Sequence, residues 1–225
     1  MRTDQRPDFI IVDPRDAGEA EVIGMGGAPT VASLLWAYRH GVFPWPVEGY
    51  PLLWFCPPAR AIIEFADLRV PERLARMKRN APFSYTIDQA FPEVMRACQA
   101  APRPGQSGTW ITEEMLDGYG TLHQRGFAHS VEVWDSCGAL VGGLYGVSVD
   151  GAFAGESMFH SSANTSKLAL LHLIEHLQQR GLDWIDIQML TPHLVALGAK
   201  EVARSEFLDR LERTQTRKLS LFGQG

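Results

Sequence analysis

HSVEVWDSCGALVGGLYGVSVDGAFAGESMF, residues 129–159, is the stretch whose reading decides the fold. HSVEVWD alternates polar and apolar residues with the two-residue period of a half-buried strand. ALVGGLYGVSV follows a tight SCG turn, and Asp150-Gly151 is a hairpin signal leading into AFAGESMF. Three strands in succession form a meander. A long helix from about Ser166 to Arg180 follows, stopped by Gly181, and then a further strand, WIDIQML. A strand reached through a helix is a crossover, so the layout is α+β, a mixed sheet flanked by helices.

Upstream, Thr112 followed by Glu113 and Glu114 starts a helix that Gly126 ends, and APRPGQSG at 101–108 is a linker candidate. AIIEFA reads as a strand, PERLARMKR as a short helix, and DQAFPEVMRACQ as a helix capped by Asp88. Residues 1–60 differ in texture and are expected to form a small N-terminal α/β domain, with 61–225 as the larger one. They hold one helix, TVASLLWAYRH, between Pro29 and Gly41. Beyond it, FPWPVEGYPLLWFCPPAR sets Phe43, Trp45, Trp54 and Phe55 among five prolines. Prolines restrict the backbone, so this is either a rigid aromatic wall or a loop whose rings plug the core. The tail RTQTRKLSLFGQG reads as unstructured.

A chain of 225 residues with 45% hydrophobic and 21% charged content can bury a core and is not disordered. A net charge of −5 excludes a uniform basic field, so any contact with nucleic acid must use a local patch. Three scattered cysteines without a C-x-x-C pair argue against a disulfide framework or thiolate zinc site and for a reducing cytoplasm. The N-terminus lacks the apolar core of a signal peptide, and no run approaches the length of a membrane span.

Three motif-like strings carry little. His172-Leu-Ile-Glu175-His176 matches a zinc-protease string, but helical spacing sets both histidines opposite the stripe Leu170, Ile174, Leu177, on a solvent face. Gly155-Glu156-Ser157-Met158-Phe159 has Phe where a nucleophile elbow needs Gly, and Gly24-Met-Gly26-Gly27 lacks the third spaced glycine of a dinucleotide loop.

Alternation puts Glu156 on a face with Ala154 and Met158, and Asp186 on a face with Trp184 and Gln188. If the two strands are neighbours, Glu156, Asp186 and Gln188 converge beside Phe153, Met158, Leu170, Leu173, Ile185 and Ile187. Spacing alone also fits a solvated strand face above an ordinary core.

The runs AYRHGVFPW, LLWFCPPAR, GTWIT, LHQRGFAHSVEVW, LVGGLYGV, FAGESMF, NTSK, IDIQML and LGAKE, in that order, resemble the leucyl/phenylalanyl-tRNA–protein transferase family from about Gly24 to Leu208. The resemblance implies an acetyltransferase-like (GNAT-type) fold after the linker. It implies transfer of Leu or Phe from aminoacyl-tRNA to proteins with N-terminal Arg or Lys, which creates a degradation signal. The resemblance further implies that Trp45 and Trp110 stack the terminal adenosine, where each base is worth about 1–3 kcal/mol. An aminoacyl ester is already activated, so its aminolysis needs no metal, cofactor or covalent intermediate. The attacking α-amine, of pKa about 7.7–8.0, needs only a modest acceptor. Gln188 is expected to accept from it, Asp186 to fix the Gln188 amide, and Glu156 to hold the cationic acceptor or assist proton removal. Leu144, Phe153, Ala154, Met158, Leu170, Leu173, Ile185 and Ile187 are expected to line the aminoacyl pocket, where each methylene contributes about 0.8 kcal/mol. Ile187 stands where the family usually has Cys, and Leu173 where an aromatic can occur, which suggests a narrower pocket favouring Leu. RVPERLARMKR carries Arg69, Arg73, Arg76, Lys78 and Arg79 against Glu72, either a solvated face or a patch for tRNA phosphates. The rivals are a coenzyme-A-dependent N-acetyltransferase, whose pyrophosphate loop is not found, and a non-catalytic tRNA-binding or adaptor protein.

Overall fold

The computed structural model describes residues 9–102 and 109–223, so the linker candidate lies mostly outside them. Ile10–Ile11 (β1), Val22–Met25 (β2), Phe43–Trp45 (β3) and Leu53–Phe55 (β4) pair in the order β1-β2-β4-β3, with helix α1 at Val31–Arg39. Thr30 caps α1 by accepting from the Ser33 N–H at 3.2 Å, leaving Pro29 one residue outside the helix.

The larger sheet is built from Ala59–Glu64 (β5), Ser84–Ile87 (β6), Ala128–Trp134 (β7), Leu140–Val149 (β8), Ala152–His160 (β9), Trp184–Gln188 (β10) and Lys200–Ala203 (β11). Its order is β11-β5-β10-β9-β8-β7-β6, antiparallel except where β9 and β10 run parallel. Helices follow at Glu72–Asn80 (α2), Phe91–Ala100 (α3), Glu113–Gln124 (α4), Thr165–Gln178 (α5), Pro192–Val195 (α6) and Arg204–Thr216 (α7). The β7-β8-β9 meander is present. Asp150 and Gly151 turn it with φ of 50° and 84°, the two left-handed residues a tight hairpin needs. Helix α5 makes the crossover to β10.

Neighbouring glycines show how the helices flank the sheet. A Cβ on Gly142 would lie 2.5 Å from the Thr165 Cβ of α5, while one on Gly143 would lie 3.2 Å from Val94 of α3. Successive strand residues point to opposite faces, so α5 covers one face and α3 the other.

Three expectations need correction. Asp88 does not cap α3, whose N-cap is Ala90; with φ 60°, Asp88 accepts instead from the Ser130 N–H at 2.9 Å and pairs with His129 Nδ1 at 2.7 Å. The described part of the tail is packed, not unstructured: α7 buries Phe207, Leu208 and Leu211 at helical spacing, and Leu221 beyond it is 2% exposed. His172 and His176 do not sit on an open solvent face: His172 stacks on Tyr85 at 5.0 Å, and His176 contacts the Leu221 carbonyl at 2.9 Å and the Phe222 ring at 4.9 Å. Among the described residues no group of His, Cys, Asp or Glu is placed to hold a metal, and no helix is long and apolar enough to cross a membrane.

Candidate active site at the parting of two strands

Strands β9 and β10 share one registered pair, Asp186 with Ala154, and then part. Each carries an irregularity there. On β9, Gly155 pairs with Gly146 and Ser157 with Tyr145, leaving Glu156 as the extra residue of a bulge. On β10, Asp186 pairs with Ile62 and Gln188 with Ala61, so Ile187 is extra, and Gln188 takes a φ of 62°. Bulges bend a strand and redirect its side chains, and here they bring Glu156 and Gln188 together across the gap. Gln188 Nε2 donates to Glu156 Oε1 at 2.6 Å. Its carbonyl oxygen is the amide's one acceptor.

Glu156 lies on the α1 and α4 side, where the Tyr119 hydroxyl donates to Oε2 at 3.2 Å and Tyr38 bonds to Tyr119. Burial of this carboxyl raises its pKa to about 7; the Asp186 charge adds to the rise, and hydrogen bonds from Tyr38, Gln188 and Tyr119 oppose it. Burial, and after it the Glu156 charge, pushes both tyrosine hydroxyls well above their ordinary range.

Asp186 bonds to the Gln188 main chain rather than to its amide. Its Oδ1 accepts the backbone N–H of Gln188 at 2.9 Å, so it holds the left-handed main chain, while Glu156 fixes the side-chain amide. Arg60 grips Asp186 bidentately, Nε to Oδ1 at 2.8 Å and Nη2 to Oδ2 at 2.6 Å. Burial works against the Arg60 charge, but Asp186 outweighs it and the guanidinium pKa is raised. Arg60, Tyr38 and Tyr119 were not identified from sequence. No sequence pattern ties residues 60 and 186, which lie 126 positions apart, so the pair carries no local signal.

Trp45 and Trp110 stack on each other, centroids 5.1 Å apart and planes 19° apart. A base inserted between them would need about 7 Å, twice the van der Waals contact distance, so the pair as it stands leaves only its outer faces for a stacked base. Trp110 is 9% exposed and Trp45 more open. The pocket residues divide as follows. Leu144, Phe153, Leu170, Leu173 and Ile185 are core residues no more than 3% exposed, and Ala154 faces the opposite side, paired with Val147. Met158 and Ile187 are half-buried, and a Cβ on Gly155 would meet only the Asp186 carbonyl oxygen, at 3.7 Å. Arg69, just before α2, and Arg73, Arg76 and Arg79 on it are exposed, whereas Lys78 is paired with Glu175 of α5.

A carboxyl whose pKa burial pushes up to about 7 and an amide hydrogen-bonded to it meet where two strands part, an arrangement suited to moving a proton at an amine. The comparisons identify the family. The model of leucyl/phenylalanyl-tRNA protein transferase matches residues 62–212, and that of its N-terminal domain residues 27–58. The leucyl/phenylalanyl-tRNA–protein transferase of Pseudomonas fluorescens is 48% identical over 192 residues, 85% of this chain and 84% of the relative. That of Oleidesulfovibrio alaskensis is 45% identical over 206 residues, 89% and 83% of the two chains. The chain therefore belongs to the leucyl/phenylalanyl-tRNA–protein transferase family, whose members are aminoacyltransferases. A distant likeness in shape, with TM-score 0.38 and 17% identity, runs to a GCN5-related N-acetyltransferase from Kribbella flavida, over 76% of this chain and 60% of that one.

Proposed function

We propose that this chain moves leucine or phenylalanine from aminoacyl-tRNA to the α-amine of a protein beginning with Arg or Lys, in the cytoplasm and without a cofactor, and so marks that protein for degradation. The Gln188 to Glu156 hydrogen bond, spanning the parted strands with the Gln188 backbone held by Asp186, carries this reading. The tRNA end lies on the outer face of the Trp45 and Trp110 pair, and the exposed arginines of α2 take phosphates. The aminoacyl side chain enters the gap over Gly155, between Met158 and Ile187; the deeper residues, Leu144, Phe153, Leu170, Leu173 and Ile185, form the pocket's backing.

The α-amine donates to the Gln188 carbonyl oxygen, which aims its lone pair at the ester carbonyl carbon. A carbon–nitrogen bond forms, the bond to the ribose oxygen breaks, and the proton lost by the amine ends on that oxygen. Glu156, ionised above about pH 7, is matched to take the proton in transit. Free energy comes from the ester itself, so the site needs to supply only position and a proton path.

The test is transfer of labelled Leu from Leu-tRNA to a peptide beginning with Arg, beside Phe-tRNA, Met-tRNA and acetyl-coenzyme A. Incorporation from Leu-tRNA or Phe-tRNA alone is expected. Acetylation without aminoacyl transfer would overturn the proposal, and silence in every arm would leave a binding protein.

A further inference from the structure

Arg60 is 1% exposed, and among the described residues the hydrogen bonds of its side chain all go to Asp186. Arg204, the other buried arginine, behaves differently: it donates to the carbonyls of Pro14, Gly18, Ala20 and Pro57 and fastens the chain itself. The plane of Arg60 is fixed as well, since its guanidinium carbon lies 4.6 Å from the ring centres of both Phe43 and Phe207. Asp186 Oδ1, the oxygen that takes Arg60 Nε, also takes the backbone N–H of Gln188. Gln188 needs that restraint, because a non-glycine residue at φ 62° persists only where its surroundings over-determine it.

We infer that Arg60 is a positioning residue that acts through Asp186 to hold Gln188 in the backbone conformation that points its amide oxygen at the incoming amine. This deepens the proposed transferase reading and rests on it for its consequence. The planar fork between two rings gives the carboxylate one orientation; an ammonium at the same place would keep the charge and lose both the bidentate geometry and the stacking. A catalytic group displaced by about 1 Å loses on the order of 10²-fold in rate. The tRNA end rests on the tryptophan pair and the basic run, and Arg60 reaches that pair only through Phe43, whose ring meets Trp45 edge-on at 6.5 Å.

The variant is Arg60→Lys in the full chain. With saturating Leu-tRNA, kcat is expected to fall about 10²-fold, while KM for Leu-tRNA stays within about threefold, below the tenfold that 1.4 kcal/mol of lost binding would cause. Because Arg60 acts through Asp186, the Arg60→Lys/Asp186→Asn double variant is expected to be no slower than Asp186→Asn alone. A second readout needs no activity: amide hydrogen exchange at Gln188 is expected to accelerate in Arg60→Lys while amides of β8 keep their wild-type rates. If the wild type transfers nothing, the transferase reading falls and the exchange result still decides whether Arg60 holds Gln188. Should Arg60→Lys fail to fold, Phe43→Leu, which removes one stacking face, replaces it with a smaller loss in kcat and the same exchange signature. Unchanged kcat and exchange in the folded variant, or multiplicative losses in the double variant, would overturn the inference.

Discussion

At Glu156 one carboxyl governs two pH dependences. Its folded pKa of about 7 stands above the ordinary 4.5 because burial disfavours the charged form, so the folded protein binds a proton there that the unfolded chain has released. The contribution to stability is fully present below pH 4.5 and is lost as pH rises through 7, by at most about 3 kcal/mol. Denaturant unfolding at pH 5 and pH 8 is expected to show that loss in the wild type and a smaller one in Glu156→Gln. Transfer depends on the opposite form: kcat is expected to rise through about pH 7, and the Glu156→Gln variant to lose that limb along with most of its rate. Full turnover in the variant would remove Glu156 from the chemistry. Nearby, a Cβ at Gly155 would meet nothing closer than the Asp186 carbonyl oxygen at 3.7 Å. Gly155→Ala is expected to melt with the wild type and to lower kcat/KM for Phe-tRNA roughly tenfold more than for Leu-tRNA, as about 1–3 kcal/mol per methylene in a pocket implies. Equal losses for the two donors would place the side chain elsewhere. The trio Glu156, Asp186 and Gln188 was legible, but its wiring was not. Strict alternation assigns Asp186 and Gln188 to one face, and that assumption fails where each strand carries a bulge.

Among the elements, those with a strong local signal were legible: the alternating meander with its Asp150-Gly151 turn, α5 with its apolar stripe, and α4, whose Thr112 cap accepts from the Met115 N–H at 3.3 Å. Short strands were not. β6 and β11, at four residues each, are defined by their partners β7 and β5 rather than by a pattern of their own. Asp88 was misread as a cap because it precedes a helical run, while its carboxylate is drawn to the His129 and Ser130 side of the sheet. Helix α2 was legible as a helix and as a basic run, and the fold distinguishes its cations. Arg73, Arg76 and Arg79 are exposed, and Lys78 is engaged by Glu175. Each free cation on a phosphate lowers the slope of log K against log salt by about one when removed. Neutralising the three arginines to Gln is expected to weaken tRNA binding and reduce that slope by about 2–3, whereas Lys78→Gln alters it less than any single arginine does. A slope unchanged by the triple substitution would remove α2 from the tRNA interface.

Across the whole molecule, the aromatic wall and the reacting strand lie in different sheets, and α7 contacts both the reacting strand, through Phe207 on Trp184, and the loops of the small sheet, through Arg204. Phe207 of α7 covers one face of Arg60, and Phe43, two residues before Trp45, covers the other. At the start of α7, Arg204 is 7% exposed and donates to the carbonyls of Pro14, Gly18, Ala20 and Pro57, which flank the strands of the small sheet. None of this is legible locally, since Arg204 lies in an unremarkable polar run and its partners are about 150–190 residues away. Replacing it with Leu leaves several buried carbonyls without a donor, each costing about 1–3 kcal/mol, with part recovered by solvent at the edge. A net loss of about 3–4 kcal/mol lowers Tm by roughly 6–16 °C in a chain of this size. The effect is expected to be local before it is global: in Arg204→Leu, proteolysis begins near residues 56–60 and KM for Leu-tRNA rises at temperatures where the larger sheet still resists cleavage. Leu221→Ala is the control, because Leu221 is 2% exposed under the tail and its loss costs about 2–5 kcal/mol without touching the small sheet. It is expected to lower Tm by a similar amount and leave KM unchanged until unfolding. If both variants raise KM in step with their melting, the two sheets unfold as one cooperative unit and the tryptophan platform has no independent stability.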